Sequence, residues 1–211
     1  MNSGSAGRCA AITLATALVL VVCVLFVDRP VTDFFVAHIS PPLVLDYALR
    51  AEGLLALLGI VWILGCGLVV AAGRSLSRFA TTTMLASFSL TWAVVANYFV
   101  LQPFFGRIDV WHYLAHRDAY GFMFLQGHSG DGLPSGHTVV AASFLLVFWH
   151  AYPRARIPLA FAIAAVMLGL IVARWHFLAD TIAGLFVGAV AATLTMRLWS
   201  RSDRVEADAG D

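Results

Sequence analysis

Lysine is absent from this sequence of 211 residues, so its 13 Lys and Arg positions are all arginine. Charged residues of both signs make up 12% of the chain, whereas about a quarter of a water-soluble domain is charged. The chain is 61% hydrophobic, with a mean hydropathy of +0.86. This composition excludes an ordinary soluble domain and predicts a single membrane domain over residues 1–211.

Two further shortages exclude other classes of protein. The net charge of +1 does not provide the concentrated basic surface that a nucleic-acid partner favours. The three cysteines, Cys9, Cys23 and Cys66, lie at or inside apolar stretches and have neither metal-ligand spacing nor the even number of a disulfide framework. We interpret them as small core residues and expect no cofactor.

Six apolar segments approach the roughly 20 residues that a membrane-spanning helix needs. The first is not followed by an A-x-A-like cleavage site before Asp28, so we expect a retained helix and not a signal peptide. The sequence therefore predicts an all-α, integral membrane bundle of six helices. The predicted spans are 9–27, 53–72, 79–101, 137–152, 157–173 and 180–199.

The arginines give the bundle an orientation. If the six helices alternate, most of the arginines between and beyond them fall on one side, which the positive-inside rule assigns to the cytoplasm together with both termini. The loop 102–136 then lies on the opposite face. The segment 31–52 has apolar residues at roughly helical spacing, split by Pro41 and Pro42. It predicts two short interfacial helices or, alternatively, a covering loop.

A glycine-rich loop leads directly into the fourth apolar segment as Pro134, Ser135, Gly136 and His137. Serine is a good N-cap, and the first N–H groups of a helix lack partners within the helix. Such a helix start binds anions, above all phosphate. The alternative is a capped helix start that carries a surface histidine.

A second group of ionisable residues falls on the same predicted face. His176 and Asp180 are four residues apart and share a helix face if the sixth helix begins there, so a carboxylate there can fix the imidazole tautomer. Arg107 and Arg174 supply fixed charge suited to phosphate oxygens. The alternatives are a structural His–Asp pair and two arginines that anchor helix ends at the interface.

The sequence "PSGH" at 134–137, followed by "HFLADTIAG" at 176–184, resembles the type-2 phosphatidic acid phosphatase superfamily. The resemblance implies a six-helix membrane enzyme in which His176 attacks phosphorus and forms a phosphohistidine. Asp180 would orient that histidine, and His137 would protonate the leaving oxygen. Ser135 and the amide of Gly136 would bind phosphate oxygens, and no metal would take part.

The chain departs from the pattern of that family in two motifs. Gln102 stands where the family has lysine, and Asp109 stands where it has arginine; Gly169 and Leu170 replace a Ser-Arg pair before His176. Arg174 lies four residues after Leu170, about one helical turn. We therefore expect Arg107 and Arg174 to take over phosphate binding.

The resemblance implies a phosphatase in a bacterial-type plasma membrane, with its site on the non-cytoplasmic face. Its substrate would be a lipid phosphate or diphosphate, such as undecaprenyl diphosphate, phosphatidylglycerol phosphate or phosphatidate. The alternatives are a catalytically weak or inactive lipid-phosphate-binding relative and a lipid phosphotransferase. His112 and His116 have metal-compatible spacing, but no clear third ligand accompanies them.

The predicted orientation can be tested by cysteine-accessibility labelling in a background without native cysteines. A cysteine at Ser129 should react with an impermeant reagent from the non-cytoplasmic side, and one at Ser75 from the cytoplasm. Labelling of position 129 from the cytoplasm alone would contradict the orientation.

Overall fold

The computed structural model describes residues 3–40, 52–125 and 132–209. Within these ranges the chain is all-helical, apart from an isolated bridge between Arg107 and Phe122. Nine α-helices lie in the described part of the chain. They are α1 (Ser3–Val22), α2 (Asp28–His38), α3 (Glu52–Ala71), α4 (Arg78–Ala96), α5 (Gln102–Phe105), α6 (Val110–Ala115), α7 (Gly136–Ala151), α8 (Arg156–Val172) and α9 (Leu178–Ala209).

Helices occupy all six positions that the sequence predicted for membrane spans. By length and composition, four stretches of described helix can cross a membrane: Gly7–His38, Arg78–Phe105, Pro153–Val172 and Leu178–Ser200. The apolar stretches Leu57–Ala71 and Gly136–Ala151 are shorter. The all-helical class is therefore confirmed, with four candidate spans where six were expected.

The first predicted interfacial helix is not separate from the first membrane helix. It forms α2, which continues α1 through a π-helical turn, Cys23–Val27, so that one helix runs from α1 to His38. The second predicted interfacial helix falls largely on residues 41–51, outside the described residues.

Two π-helical turns precede prolines. The turns Cys23–Val27 and Asn97–Leu101 come just before Pro30 and Pro103, and each ends with an i→i−5 bond, from Asp28 N–H and Gln102 N–H. Proline cannot donate an N–H, and its ring disturbs the preceding helical turn. The wider π turn lets the helix continue into the proline, and each turn brings polar side chains to the same end of the bundle.

The centre of the bundle is formed by α4, α7 and α9. Small residues at the contacts between these helices, including Ala86, Ala93 and Ala192, are fully buried. At the α7–α9 contact, a Cβ on Gly188 would lie 2.5 Å from Cβ of Ala142. Backbones therefore approach closely through small residues, as is common between helices in membranes.

Large apolar side chains cover the outside of the bundle. Leu14, Leu68, Ile157 and Phe161 are each about 70% exposed. Such a surface is expected of helices that face lipid hydrocarbon and not water.

Replacement of Gly188 by alanine should destabilise the bundle, because the added methyl group meets Ala142 and the backbone of Ser143. Overpacking of this kind costs about 1–3 kcal/mol. Gly67→Ala is the matched control, because nothing lies within 4 Å of a Cβ at Gly67. Thermal unfolding in detergent should show a lower midpoint for Gly188→Ala alone; equal midpoints would contradict the close approach of α7 and α9.

Candidate active site

The loop that follows α5 is held by a glycine. Gly106 has φ 54°, and a Cβ there would collide with the carbonyl of Met123, so this position requires glycine. Gly106 O accepts from Met123 N–H at 2.9 Å, and Ile108 N–H donates to Gly121 O at 3.1 Å. The turn therefore folds residues 106–123 back on themselves and directs Arg107 inward.

Arg107 lies at the centre of a buried ion cluster. Its Nη1 is 2.5 Å from Asp180 Oδ1, and its Nη2 is 2.6 Å from Asp28 Oδ2. The three side chains are at most 1% exposed. Asp28 Oδ1 also accepts from Ala179 N–H at 2.9 Å, and Asp180 Oδ2 accepts from Phe177 N–H at 2.9 Å. Both carboxylates thus hold the start of α9 as well as the arginine.

Aromatic rings enclose the same guanidinium. Its central carbon lies 4.7 Å from the ring centre of Phe177, and the rings of Tyr120 and Phe122 are 5.6 and 5.5 Å away. Burial acts to lower the pKa of Arg107, but the charges of Asp180 and Asp28 act against it and the net direction is upward. Burial is also the main reason that the pKa of Tyr120 rises to about 12. Arg107 therefore stays charged and Tyr120 stays protonated.

His176 is held beside this cluster by a backbone carbonyl. Its Nδ1 is 3.2 Å from Gly132 O and 3.7 Å from Asp180 Oδ2. Because a carbonyl only accepts, the contact with Gly132 assigns the proton to Nδ1 and the lone pair to Nε2 of the neutral ring. The distance to Asp180 exceeds that of a hydrogen bond, so Asp180 acts on the ring through its charge.

His137 is the second residue of α7 and lies in its first turn. Its ring centre is 6.1 Å from that of His176, and its ring packs edge-on against Trp175. Both histidines line a cavity of about 310 Å³, which is within the usual size range of ligand pockets. The other lining residues are Val94, Asn97, Tyr98, Gln102, Asp109, Gly136 and Trp175.

The loop before α7 is fixed from two sides. The carbonyl of Pro134 accepts from Asn97 Nδ2 at 3.3 Å and from Gln102 Nε2 at 3.2 Å. Ser135 is fully buried and caps α7, because its Oγ accepts from Thr138 N–H at 3.4 Å. Its own N–H donates to Asp180 O at 3.0 Å. Ser135 therefore positions the loop against α9, and Gly136 is the member of the pair that lines the cavity.

A known protein family matches the part of the chain in which both histidines of the cavity lie. The family model of the PAP2 superfamily matches residues 82–204, more than half of the chain. The chain belongs to the PAP2 superfamily. This match confirms the resemblance that "PSGH" and "HFLADTIAG" indicated.

A relative named Lipid A 1-phosphatase, from Rhizobium johnstonii (strain DSM 114642 / LMG 32736 / 3841), is 34% identical to this PAP2 chain over 85 residues. The alignment covers 39% of the chain and 34% of the relative. The matched part is thus about a third of the length of that protein. No solved structure gives a significant match.

The structure places Arg174 differently from the expectation for this PAP2 chain. The helix α8 ends at Val172, and Arg174 has φ 63°. This is the left-handed conformation that often ends a helix and is usually adopted there by glycine. Trp175 N–H bonds to Leu170 O, and Arg174 N–H bonds to Ile171 O, which is the Schellman pattern. Arg174 therefore lies beyond α8 and not on a further turn of the same helix as Leu170.

The Arg174 side chain reaches α2. Its Nη2 is 2.9 Å from Ile39 O and 3.4 Å from Val36 O. These carbonyls lie at and just beyond the C-terminal end of α2, where a cation is favourable. These contacts join the end of α8 to α2, and the expected role of Arg174 toward phosphate stays a prediction.

The guanidinium of Arg107 is bonded to Asp28 and Asp180, and its expected role toward phosphate stays a prediction. The described residues that line the cavity include no arginine, and Asp109 lies among them. Asp109 caps α6, since its Oδ1 accepts from His112 N–H at 2.7 Å. Among the described residues, the cavity is therefore lined by amide side chains, two histidines, one carboxylate, two larger aromatic side chains, a valine and a glycine.

The rings of His112 and His116 lie 5.1 Å apart. Within residues 3–40, 52–125 and 132–209, no group of three or more His, Cys, Asp or Glu side chains is arranged to hold a metal ion. His128 and Asp131 lie outside the described residues.

Three residues that make polar contacts with Arg107 or His176 were not identified as site residues from the sequence: Asp28, Tyr120 and Gly132. The sequence did contain a signal for Asp28. An ionisable side chain at the edge of an apolar run costs free energy to bury in a membrane, so it is a candidate for a functional role. Tyr120 and Gly132 carried none, since their roles depend on contacts with Arg107 and His176, which are distant in sequence.

Removal of the charge of Arg107 should destabilise the protein strongly. Arg107→Leu leaves two buried carboxylates without their cation, and breaking a buried ion pair in this way costs about 3–5 kcal/mol. Arg117→Leu is the control, because Arg117 forms an exposed ion pair with Asp33, and exposed pairs contribute little. Thermal unfolding should separate the two variants; a small effect for Arg107→Leu would contradict the buried cluster.

Proposed function

We propose that this PAP2 chain is an integral-membrane phosphatase that hydrolyses a lipid phosphate or diphosphate through a phosphohistidine on His176. The observation that carries the proposal is the pair of histidines on one cavity, with His176 held by Gly132 O in the tautomer that a nucleophile needs. Membership of the PAP2 superfamily and similarity to a lipid A 1-phosphatase support the same class of reaction.

In the first step, Nε2 of His176 attacks phosphorus, and the bond between phosphorus and the leaving oxygen breaks. His137, protonated at the start, gives its proton to that oxygen. The ring separation of 6.1 Å suits one phosphoryl group that contacts both rings. The ring of His176 gains positive charge in this step, and the carboxylate of Asp180 at 3.7 Å stabilises it.

In the second step, water attacks the phosphohistidine. His137, now neutral, accepts a proton from the water as the nitrogen–phosphorus bond breaks. Phosphate is released, and both histidines return to their starting states. The chemistry requires no metal ion, and the N–H groups at the start of α7, beside Gly136, are suited to the phosphate oxygens.

The proposed substrate class is a lipid whose phosphate reaches the cavity while its chains remain in the bilayer. Undecaprenyl diphosphate, phosphatidylglycerol phosphate and phosphatidate belong to this class. The name of the Rhizobium relative adds the 1-phosphate of lipid A to the substrates to be tried. The proposed location is the non-cytoplasmic face of a bacterial-type plasma membrane.

One observation favours a second candidate function, lipid-phosphate binding with weak or no turnover. Gln102 and Asp109 line the cavity at the two positions where the family pattern has lysine and arginine. Fewer cations near the phosphoryl group mean less stabilisation of the transition state. Phosphate release from the lipid panel in detergent distinguishes this candidate from the enzyme.

The two histidines should respond differently to substitution. His176→Ala should abolish phosphate release, because it removes the nucleophile. His137→Ala should slow lipid substrates by roughly 10²–10⁴-fold, the usual contribution of general acid–base catalysis, and should spare an aryl phosphate whose leaving group needs little protonation. Initial rates on both substrates test the assignment; equal losses would contradict the acid role of His137.

His112→Ala is the matched control for these variants. It removes a histidine that lies outside the described lining of the cavity, and its activity should remain near that of the wild type. Activity should also persist in EDTA. Loss of activity in EDTA that returns with added metal, together with loss in His112→Ala, would replace the proposed mechanism with a metal-dependent one.

A further inference from the structure

We infer that Asp28, in the helix N-terminal to the matched family region, is a positioning residue for phosphoryl transfer, acting through Arg107 on Asp180 and His176. The inference rests on the proposed function. It extends the reaction machinery to a residue outside 82–204, the region that the family model covers.

Each carboxylate oxygen of Asp28 contacts a different part of the site. Oδ2 contacts Arg107 at 2.6 Å, and Oδ1 accepts from Ala179 N–H, the residue directly before Asp180. Its side chain is fully buried at the start of α2. A carboxylate in such a place is costly unless it is paired, so its two contacts fix its position relative to both Arg107 and α9.

Arg107 transmits this position to His176 along two routes. Its side chain contacts Asp180 Oδ1, and the other oxygen of Asp180 lies 3.7 Å from His176 Nδ1. Its backbone carbonyl accepts from Gly132 N–H at 3.1 Å, and Gly132 O contacts the same Nδ1. A shift of Arg107 therefore changes both the charge near the imidazole and the acceptor that sets its tautomer.

The charge balance gives Asp28 a defined effect on the reaction. With Asp28, Arg107 and Asp180 ionised, the cluster carries one net negative charge beside a ring that becomes positive when it attacks phosphorus. Neutralising Asp28 leaves Arg107 paired with Asp180 alone and the cluster without net charge. The transition state then loses stabilisation, whereas substrate binding in the cavity is little affected because Asp28 is not among its lining residues.

The alternative is that Asp28 merely caps α9. The variant Asp28→Asn separates the two roles, because asparagine has the same shape and keeps one acceptor oxygen but lacks the charge. A structural role alone would lower the unfolding temperature and leave the turnover of folded protein unchanged. A positioning role lowers turnover in protein that remains folded.

The test measures kcat, KM and the rate of phosphoenzyme formation for full-length protein in detergent on one lipid phosphate. Asp28→Asn should lower kcat and phosphoenzyme formation by at least about tenfold, with KM within about threefold of the wild type. Asp33→Asn is the matched control, since it removes a carboxylate of the same helix that forms an exposed ion pair, and its kcat should match the wild type.

Wild-type kcat in Asp28→Asn, with an active wild type that depends on His176, would overturn the inference and leave the proposed function intact. Absence of phosphate release from the wild type on every substrate would overturn both. If Asp28→Asn does not fold, Asp28→Glu takes its place, because it keeps the charge but displaces Arg107. A lowered kcat at constant KM in Asp28→Glu supports the inference, and wild-type kcat and KM would overturn it.

Discussion

The buried guanidinium of Arg107 between Asp28 and Asp180 is the constraint on which the polar end of the bundle depends. Removing such charges from water costs several kcal/mol per ion, and good geometry is required to recover it. Three distant segments must therefore meet within 2.5–2.6 Å. The glycine turn at Gly106, the aromatic rings around the arginine and the start of α9 are all arranged around this requirement, and His176 takes its position from it.

The two π-helical turns show how the helices accommodate this arrangement. Each lies before a proline, and each is followed by a polar residue that points to the site, Asp28 in one and Gln102 in the other. A regular α-helix through either proline would lose a hydrogen bond and meet a clash. Two chemically similar irregularities thus bring Asp28 and Gln102 to the same polar end of the bundle, where Asp28 contacts Arg107 and Gln102 contacts Pro134.

The sequence predicted the features of this protein that depend on local pattern. Apolar runs indicated the helices, and Ser135 indicated the start of α7. His176 and Asp180 were expected to share a helix face, but α9 begins at Leu178, after His176, and the two side chains are 3.7 Å apart. Contacts that depend on distant segments were not predictable: Asp28 and Arg107 are separated by 79 residues. The predicted span 157–173 ends within one residue of Val172, the last residue of α8. The left-handed conformation of Arg174 was not predictable, because no glycine marks this position as Gly73 does after α3. Arg107 and Arg174 were assigned to phosphate from their charge, and Arg174 also from its position about one helical turn after Leu170. Both side chains have protein partners in the structure, and their roles toward phosphate stay predictions.

The continuous helix Gly7–His38 has 32 residues and is about 48 Å long, whereas the hydrocarbon core of a bilayer is about 30 Å thick. Its surplus of about 18 Å falls at the α2 end, where Asp28, Arg29 and Asp33 begin the charged part of the helix. With the apolar part of this helix across the hydrocarbon core, the ion cluster would lie at the depth of the lipid headgroups. Under the proposed function, a lipid phosphate would then reach the adjacent cavity by lateral diffusion within the leaflet. The dephosphorylated lipid would leave the same way, and the phosphate would leave into water.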